Sequence, residues 1–425
     1  MRSILTFLLI LVSVVAFGQF DKYFGNGTMR VDYYHSGDYK DDYYYIDEVI
    51  AEPYWGGSKE NLIDEMNFGK YLVKVLDKAS GTLIYSRSYS TLFGEWQTVD
   101  EARTVQKSFS ESVVFPFPKA TVTVVFCTKS FETGKYVEKY RYDIDPADNC
   151  LIKRDNRNKY PVFEVHKGGN GDVNHKVDIV IVPDGYTSSQ MSLFKKDCEK
   201  FKKEFFSYEP YTSHKEDFNI HAVLAHSDDS GVDDPCRGIW KNTVVSCSYW
   251  SLGSERYLMT TDNKTLRDVA ANAPYDQIYI LVNSTKYGGG GIFNWYCTGV
   301  NSNKMAGKII VHEFGHGFAG LGDEYVGGAE YNDFYNMKLE PADPNVTTLV
   351  DFDSKWKDMV ERGTPIPTPT TSEYKDKVGV YEGAGYMSKG IYRPMQDCLM
   401  NHFQCDEFCP VCKRAIVKMI DFYCR

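Results

Sequence analysis

Short stretches in which apolar and polar residues alternate dominate the first third of the chain. Residues 71–77 and 82–85 are two of them, and the turn residues between them predict a β-hairpin. Residues 119–126 and 136–144 alternate in the same way. Short strands separated by turn signals, without a long helical period, are typical of a β-sandwich. We therefore predict an N-terminal β-sandwich domain over residues 19–155.

The pattern changes after residues 145–159, a polar stretch rich in Asp, Asn, Lys and Arg that we interpret as a linker. Longer apolar runs predict buried strands at 177–182, 218–224 and 277–282. Apolar residues three and four positions apart predict helices that begin at residue 188 or 189, at residue 265 and at residue 410. Strands and helices in alternation predict a second domain over residues 156–425, of α/β or α+β class with a mixed sheet.

Two segments of this second domain have a less regular pattern. Residues 326–395 read as irregular, and a long loop of this kind is expected to wall a cleft. Four glycines at 288–291 precede residues 292–296, where we predict an edge strand.

The chemistry of the chain is concentrated in His312-Glu313-Phe314-Gly315-His316, an H-E-x-x-H motif. On a helix, residues four apart lie on one face, so both imidazoles can bind one metal ion. Glu313 then lies beside the metal, where it can take a proton from a bound water. The apolar residues 309–311 before the motif are suited to burying the helix that holds the ligands.

A glycine-rich segment, residues 317–322, follows the motif and is expected to end the helix in a sharp turn. Asp323 and Glu324 come directly after it. Two histidines and one carboxylate supply three protein ligands and leave a fourth position open, which is the composition of a catalytic zinc site. We therefore predict a Zn²⁺ metallopeptidase centre.

Farther along the chain stands Cys398-Leu399-Met400-Asn401-His402. Together with the motif at 312–316, this segment resembles a metzincin-type zinc peptidase with its methionine turn, and more narrowly the IgA-peptidase family of bacterial zinc endopeptidases. The resemblance implies an N-terminal β domain before a metzincin-like catalytic domain with an active-site helix. It also implies that Met400 lies beneath the zinc, although a methionine of the ordinary core gives the same pattern.

The spacing departs from the metzincin pattern, which would put the third ligand at Gly322, a residue without a side chain to donate. Asp323 is our prediction for the third ligand, and Glu324 and His402 are the alternatives. The resemblance gives His402 a second possible role, since some metzincins place a tyrosine there that reaches the metal or the oxyanion. His402 would act with Glu313 as a catalytic residue, or merely cap the turn.

The ends of the chain and its cysteines bear on the compartment. A basic start, an apolar run at 4–17 and small residues near Gly18 predict a signal peptide over residues 1–18, too short to span a membrane and without a cysteine for a lipid anchor. We expect a secreted or cell-envelope protein. In that setting the 11 cysteines predict disulfides, with a second zinc site at Cys405, Cys409 and Cys412 as the alternative.

The net charge of −10 and the lack of a basic cluster argue against a nucleic-acid partner. The acidic stretch at 228–234 lacks the ligand spacing of a calcium loop. We therefore predict a secreted zinc endopeptidase that acts on protein or peptide substrates. The resemblance to the IgA-peptidase family implies host immunoglobulins as substrates. The alternative is an exported glycan- or protein-binding protein with a non-catalytic metal site.

Overall fold

The computed structural model describes residues 19–153, 159–327 and 334–425. The predicted signal peptide therefore lies outside the described residues, as does part of the predicted linker. After a helical turn at 19–23, the N-terminal third forms two four-stranded sheets. The first has the order β5-β1-β2-β8, with β1 Phe24–Gly37, β2 Asp42–Glu52, β5 Lys107–Pro118 and β8 Ile152–Lys153. The second has the order β4-β3-β6-β7, with β3 Tyr71–Asp77, β4 Leu83–Tyr89, β6 Val122–Lys129 and β7 Tyr136–Ile144.

Both sheets contribute side chains to one core. Tyr33 of β1 meets Phe126 of β6 with ring centroids 4.9 Å apart, an edge-to-face contact. The predicted hairpin is confirmed as the antiparallel pair β3–β4, and the alternating run at 136–144 as β7. The linker region differs from the prediction in one respect, because β8 within it pairs in parallel with β2.

The second part of the chain is built on a six-stranded sheet of order β13-β14-β12-β10-β11-β9. Its central strands are parallel, and the two edge strands are antiparallel to their neighbours. This confirms a mixed sheet. The strands are β9 Val162–Lys167, β10 Val177–Asp184, β11 Phe218–Val223, β12 Gln277–Val282, β13 Gly289–Ile292 and β14 Tyr296–Val300.

Helices cover this sheet, which explains why β10 and β12 are buried along their whole length and consist mainly of apolar residues. The α-helices are α1 Leu92–Trp96, α2 Met191–Phe205, α3 Asn263–Ala270, α4 Ala306–Ala319 and α5 Pro410–Cys424. Short 3₁₀ helices lie at Asp100–Arg103, Val173–His175, Ser188–Gln190, Lys215–Asp217, Pro235–Arg237, Ser251–Gly253, Phe352–Ser354, Lys357–Met359 and Ser372–Tyr374. In the part of the chain described, no helix is both long and apolar enough to cross a membrane.

Two predictions about the second part were wrong in detail. The edge strand is Gly289–Ile292 rather than 292–296, because Tyr296 already belongs to the next strand. Three of the glycines lie in the strand itself. Helix α4 packs so closely that a Cβ at Gly291 would lie 2.2 Å from the carbonyl oxygen of Glu313, so this position requires glycine. The segment 326–395 contains a hairpin, β15 Tyr381–Ala384 and β16 Met387–Arg393, whose glycines interrupt the alternation that would have revealed it.

Buried contacts join the two parts of the chain. Arg30 of β1 is 1% exposed and its guanidinium donates to Glu52 at 3.0 Å and to Asp268 at 2.7 Å. Asn263 donates to Ser112 at 2.8 Å in the same region. One hydrophobic cluster runs from Phe20 in the first part to Ile309 in the second. The N-terminal sheets therefore stand in fixed contact with the elements that carry the H-E-x-x-H motif.

Candidate metal centre

Helix α4 carries the motif and is held on most of its surface. Ile309, Ile310, Val311, Phe314 and Phe318 are buried, and the helix packs against β13, β14, α2 and α5. It ends where Gly320 adopts a left-handed conformation with φ 61°, which a residue without a Cβ reaches at little cost. The predicted helix stop is confirmed, and the burial of 309–311 gives the ligand-bearing face a rigid support.

His312 and His316 present their Nε2 atoms to each other at 3.1 Å. Each Nδ1 lies against a backbone carbonyl, the oxygen of Leu399 at 3.2 Å and that of Leu321 at 2.5 Å. A carbonyl oxygen can only accept, so each Nδ1 carries the proton and each Nε2 keeps a lone pair. This arrangement of the second nitrogen is typical of metal-binding histidines.

The carboxylate of Asp323 completes a triangle with the two imidazoles. Its Oδ1 lies 3.3 Å from Nε2 of His312 and 3.3 Å from Nε2 of His316. Ligand atoms placed 2.0–2.1 Å from a tetrahedral zinc ion are about 3.3 Å apart. Oδ1 is buried and has no hydrogen-bond donor, and two lone pairs at 3.1 Å repel each other. The three atoms therefore fit a small cation.

Without a cation, a proton must take its place in this triangle. Burial alone would lower the pKa of His316, but the charge of Asp323 and its hydrogen bond outweigh burial and raise that pKa to about 10. Burial likewise acts to raise the pKa of Asp323, and the two histidines reverse the effect and hold it well below its usual range. The site is thus a focus of negative potential suited to positive charge.

Glu324 points away from the two histidines, although it is adjacent to Asp323 in sequence. Its Oε1 accepts from Nδ2 of Asn345 at 2.9 Å and lies 3.1 Å from Sγ of Cys412. The two adjacent carboxylates therefore have different partners, and only that of Asp323 meets the imidazoles. The structure brings Asp323, rather than Glu324, to the two imidazoles.

Glu313 lies on the same helix with a carboxylate oxygen within 4.8 Å of both imidazole nitrogens. Burial raises the pKa of its carboxyl, and the neighbouring Asp323 acts in the same direction. A carboxylate with a raised pKa is a better proton acceptor for chemistry near neutral pH. Its placement beside the triangle, rather than in it, suits a base and not a ligand.

Two residues that we did not identify from the sequence position Asp323. Tyr386 donates its hydroxyl to Oδ2 of Asp323 at 2.5 Å. Asn345, fully buried, accepts from the amide of Gly322 at 2.8 Å and donates to its carbonyl at 2.9 Å. Neither residue stands in a motif, and both lie in the segment that read as irregular. Only the glycines around Tyr386 could have signalled the turn that carries it.

His402 and Met400 occupy the turn after Cys398. Met400 is fully buried and its Sδ lies 3.2 Å from where a Cβ at Gly315 would stand, so it packs against the helix between the two histidines. His402 lines the same cleft as the triangle, with Nε2 3.0 Å from Oδ1 of Asp397 and a buried Nδ1 that has no partner. The triangle of His312 Nε2, His316 Nε2 and Asp323 Oδ1 does not include an atom of His402.

A cleft of about 810 Å³ opens over the triangle. Strand β13 forms part of its wall, with Arg256, Tyr287 and Tyr325 nearby. The N-terminal part of the chain contributes as well, through Glu95 and Asp100 among other residues. The cleft is bounded on one side by β13, an edge strand of the sheet.

Comparison with protein-family models gives two matches. Residues 165–375 and 370–420 match the family described as IgA Peptidase M64, and residues 19–140 match the Peptidase M64 N-terminus. The first match contains every residue of the triangle. A search of the curated proteins finds no match.

Proposed function

The chain belongs to the IgA Peptidase M64 family and is therefore a peptidase, and from this premise we propose that it is a secreted, zinc-dependent endopeptidase. The observation that carries the proposal is the triangle of His312 Nε2, His316 Nε2 and Asp323 Oδ1, with edges of 3.1, 3.3 and 3.3 Å. Three nitrogen and oxygen donors with one side open to a cleft suit a catalytic zinc ion better than a structural one.

When bound there, zinc would supply a Lewis acid that makes water more acidic and polarises the carbonyl of the substrate. The protein's own part falls first to Glu313. Its carboxylate accepts the proton of the attacking water and returns it to the leaving amine, so that one side chain acts as base and then as acid. The buried environment that raises its pKa keeps it suited to both steps.

We assign to β13 the task of holding the substrate. It is the edge strand of the sheet, lies along the cleft and packs against helix α4. At Gly289 its outer edge already pairs with the backbone of Arg256 and Leu258, so the substrate would pair with the residues that follow. An extended peptide can pair with such an edge through backbone hydrogen bonds, which places a peptide bond over the triangle without demanding a particular side chain. The cleft residues around this strand would then select the sequence that is cut.

We assign to His402 the stabilisation of the oxyanion. Its place on the wall of the cleft supports this role, and its bond to Asp397 orients the ring. His402→Ala should then lower kcat more than it raises KM, since the interaction strengthens only in the transition state. An unchanged kcat would leave His402 as a cap of the turn.

We further propose that residues 1–18 direct export and that residues 19–155 form a β-sandwich domain ahead of a metzincin-like catalytic domain at 156–425. Two sheets with a shared core support the sandwich, and the alternating strands support the boundary. Immunoglobulins are candidate substrates through the family description alone. A cleavage profile over secreted host proteins identifies the substrate.

The experiment that tests the central proposal is proteolysis of an unfolded protein by the purified chain, with and without removal of its metal. Activity that is lost with a chelator and restored by zinc is the expected result. A preparation that binds zinc in the triangle but cuts no peptide bond overturns it, and would favour a binding protein with a non-catalytic metal site.

A further inference from the structure

A second cluster of possible metal ligands lies behind the triangle, on the side away from the cleft. It consists of the side chains of Cys398, Cys409, Cys412 and Glu324, whose ligand atoms all lie within 4.8 Å of one another. None of the four residues is more than 3% exposed. The eleven cysteines all fall within the described residues and are free, so the disulfides expected from the sequence are not formed in this structure.

The distances within the cluster suit a tetrahedral metal site rather than a disulfide. Sγ of Cys398 lies 3.8 Å from Sγ of Cys412. Two thiolates that bind one tetrahedral zinc ion at 2.3 Å are about 3.8 Å apart, whereas the sulfurs of a disulfide are about 2.05 Å apart. A single disulfide among three cysteines would also leave the third thiol buried beside the carboxylate.

The carboxylate of Glu324 is an independent sign that something is bound here. Its Oε2 is buried and has no hydrogen-bond partner, and the residue is 0% exposed. An unpaired buried carboxylate oxygen is strongly unfavourable unless a cation or a hydrogen-bond donor meets it. A metal ion bound by the three sulfurs would give the carboxylate of Glu324, with its unpaired Oε2, a positively charged partner.

The backbone is arranged to favour sulfur in its charged form. Cys409 caps helix α5, and its Sγ accepts from the amide of Cys412 at 3.4 Å. The amide of Cys409 in turn donates to Sγ of Cys398 at 3.3 Å. Amide donors and the positive end of a helix both stabilise thiolates, which are the form that binds metal.

We propose that Cys398, Cys409, Cys412 and Glu324 bind a structural zinc ion, so that the active chain holds two zinc ions. Four protein ligands leave no open position, which distinguishes a structural site from a catalytic one. The second zinc site that the sequence suggested is corrected in one ligand, because Sγ of Cys405 lies apart from the cluster against the carbonyl of Glu407 at 3.3 Å.

This site would brace the catalytic centre through residues adjacent in sequence. Glu324 directly follows Asp323, and Cys398 directly precedes Leu399. The carbonyl oxygen of Leu399 accepts a hydrogen bond from Nδ1 of His312. Cys409 and Cys412 tie both segments to α5. One ion therefore fixes the loop that brings the third catalytic ligand and the turn that orients the first.

The test is the zinc content per chain of the purified full-length protein, measured by elemental analysis. We expect two zinc ions in the wild type, one in Cys412→Ser, one in His316→Ala and two in the matched control Cys405→Ser. Because Cys412→Ser could fold poorly, Glu324→Gln provides a second variant of nearly unchanged shape, also expected to retain one ion. Cobalt substitution should give thiolate-to-metal charge-transfer absorption in wild type and His316→Ala, but not in Cys412→Ser.

Two results would overturn the proposal. One is a wild-type protein with a single zinc that His316→Ala removes, which leaves the catalytic proposal standing and the second site refuted. The other is a Cys398–Cys412 disulfide, in which mass spectrometry finds both cysteines alkylated only after a reductant is added. Thiols that become reactive on removal of zinc, without a reductant, support the proposal.

Discussion

Tyr386→Phe tests how the third ligand of the triangle is held. The change removes one hydroxyl, which donates to Oδ2 of Asp323 at 2.5 Å, and keeps the ring in place. The backbone contacts of the turn remain, with the amide of Gly385 on the carbonyl of Asp323 at 2.8 Å and the amide of Tyr386 on that of Tyr325 at 3.0 Å. The loss is therefore confined to the orientation and charge of one carboxylate.

The size of the effect follows from the nature of that bond. A hydrogen bond to a charged group contributes about 1.5–3 kcal/mol. If all of it serves to orient Asp323, zinc affinity falls by about 10–150-fold, at about 1.4 kcal/mol for each factor of ten. Loss of a residue that supports a metal ligand lowers affinity by about 10–100-fold in other metal sites, which agrees.

The assay is peptidase activity measured against buffered free zinc, because activity requires the ion of the triangle and the variant leaves the cysteine cluster unchanged. The half-saturating zinc concentration should rise about 10–100-fold in Tyr386→Phe, with activity close to wild type at saturating zinc. Tyr381→Phe is the matched control on the same hairpin, since its hydroxyl donates to the carbonyls of Tyr374 and Lys377 rather than to the triangle.

Two outcomes would refute this reasoning. If the zinc dependence of Tyr386→Phe is unchanged while kcat at saturating zinc is low, the hydroxyl acts on the substrate and not on Asp323. If Tyr381→Phe shifts the zinc dependence equally, the effect belongs to the stability of the hairpin.

Four further changes test the site and the fold. Glu313→Gln should keep zinc and lower kcat at least ~100-fold, measured by peptide hydrolysis and metal content, because an amide cannot accept the proton. Asp323→Ala should lower the zinc occupancy of the triangle, measured by elemental analysis. Gly291→Ala should destabilise the fold by about 1–3 kcal/mol in denaturant unfolding, because the new Cβ would lie 2.2 Å from the oxygen of Glu313. Burial lowers the pKa of His35, but the charge of Glu111 and hydrogen bonds raise it overall. The stability that the protonated ring gives the folded protein is therefore complete below pH ~6.5 and is lost as the pH rises through the folded pKa. Thermal unfolding of His35→Gln from pH 6 to 9 should lack this dependence.

Each of these predictions has a contrary result. Near-normal turnover in Glu313→Gln removes its role as base. Full zinc occupancy of the triangle in Asp323→Ala transfers the ligand role elsewhere. Gly25→Ala is the control for Gly291→Ala, since its nearest neighbour would be 3.8 Å away, and equal loss in both variants argues against the contact at β13. A parallel pH profile in wild type and His35→Gln shows that other groups cause it.

The boundary near residue 155 is open to a direct test. Cutting the chain within 154–158 and expressing residues 19–155 and 156–425 separately should give a soluble N-terminal piece without peptidase activity. The buried Arg30–Asp268 pair at 2.7 Å and the shared core predict that the two pieces associate when mixed. Aggregation of the first piece together with loss of zinc by the second would show a single folding unit.

The local features of the chain could be predicted because they depend on neighbours in sequence. The period of two in 136–144 and the mainly apolar run at 277–282 correspond to β7 and β12 with the same bounds. The spacing of His312 and His316 needs only the geometry of one helix turn, and Gly320 ends that helix through its own conformational freedom. These are properties of single elements, which periodicity and turn chemistry report directly.

What only the tertiary structure decided is how distant segments meet. The sequence left Asp323 and Glu324 as alternatives, and the structure separates them, because Tyr386 holds one carboxylate from 63 residues away and Asn345 holds the other from 21 residues away. It also brought Cys398 and Cys412 together across 14 residues and placed three glycines in an edge strand against helix α4. Such contacts depend on the packing of whole elements, and no residue spacing within one element encodes them.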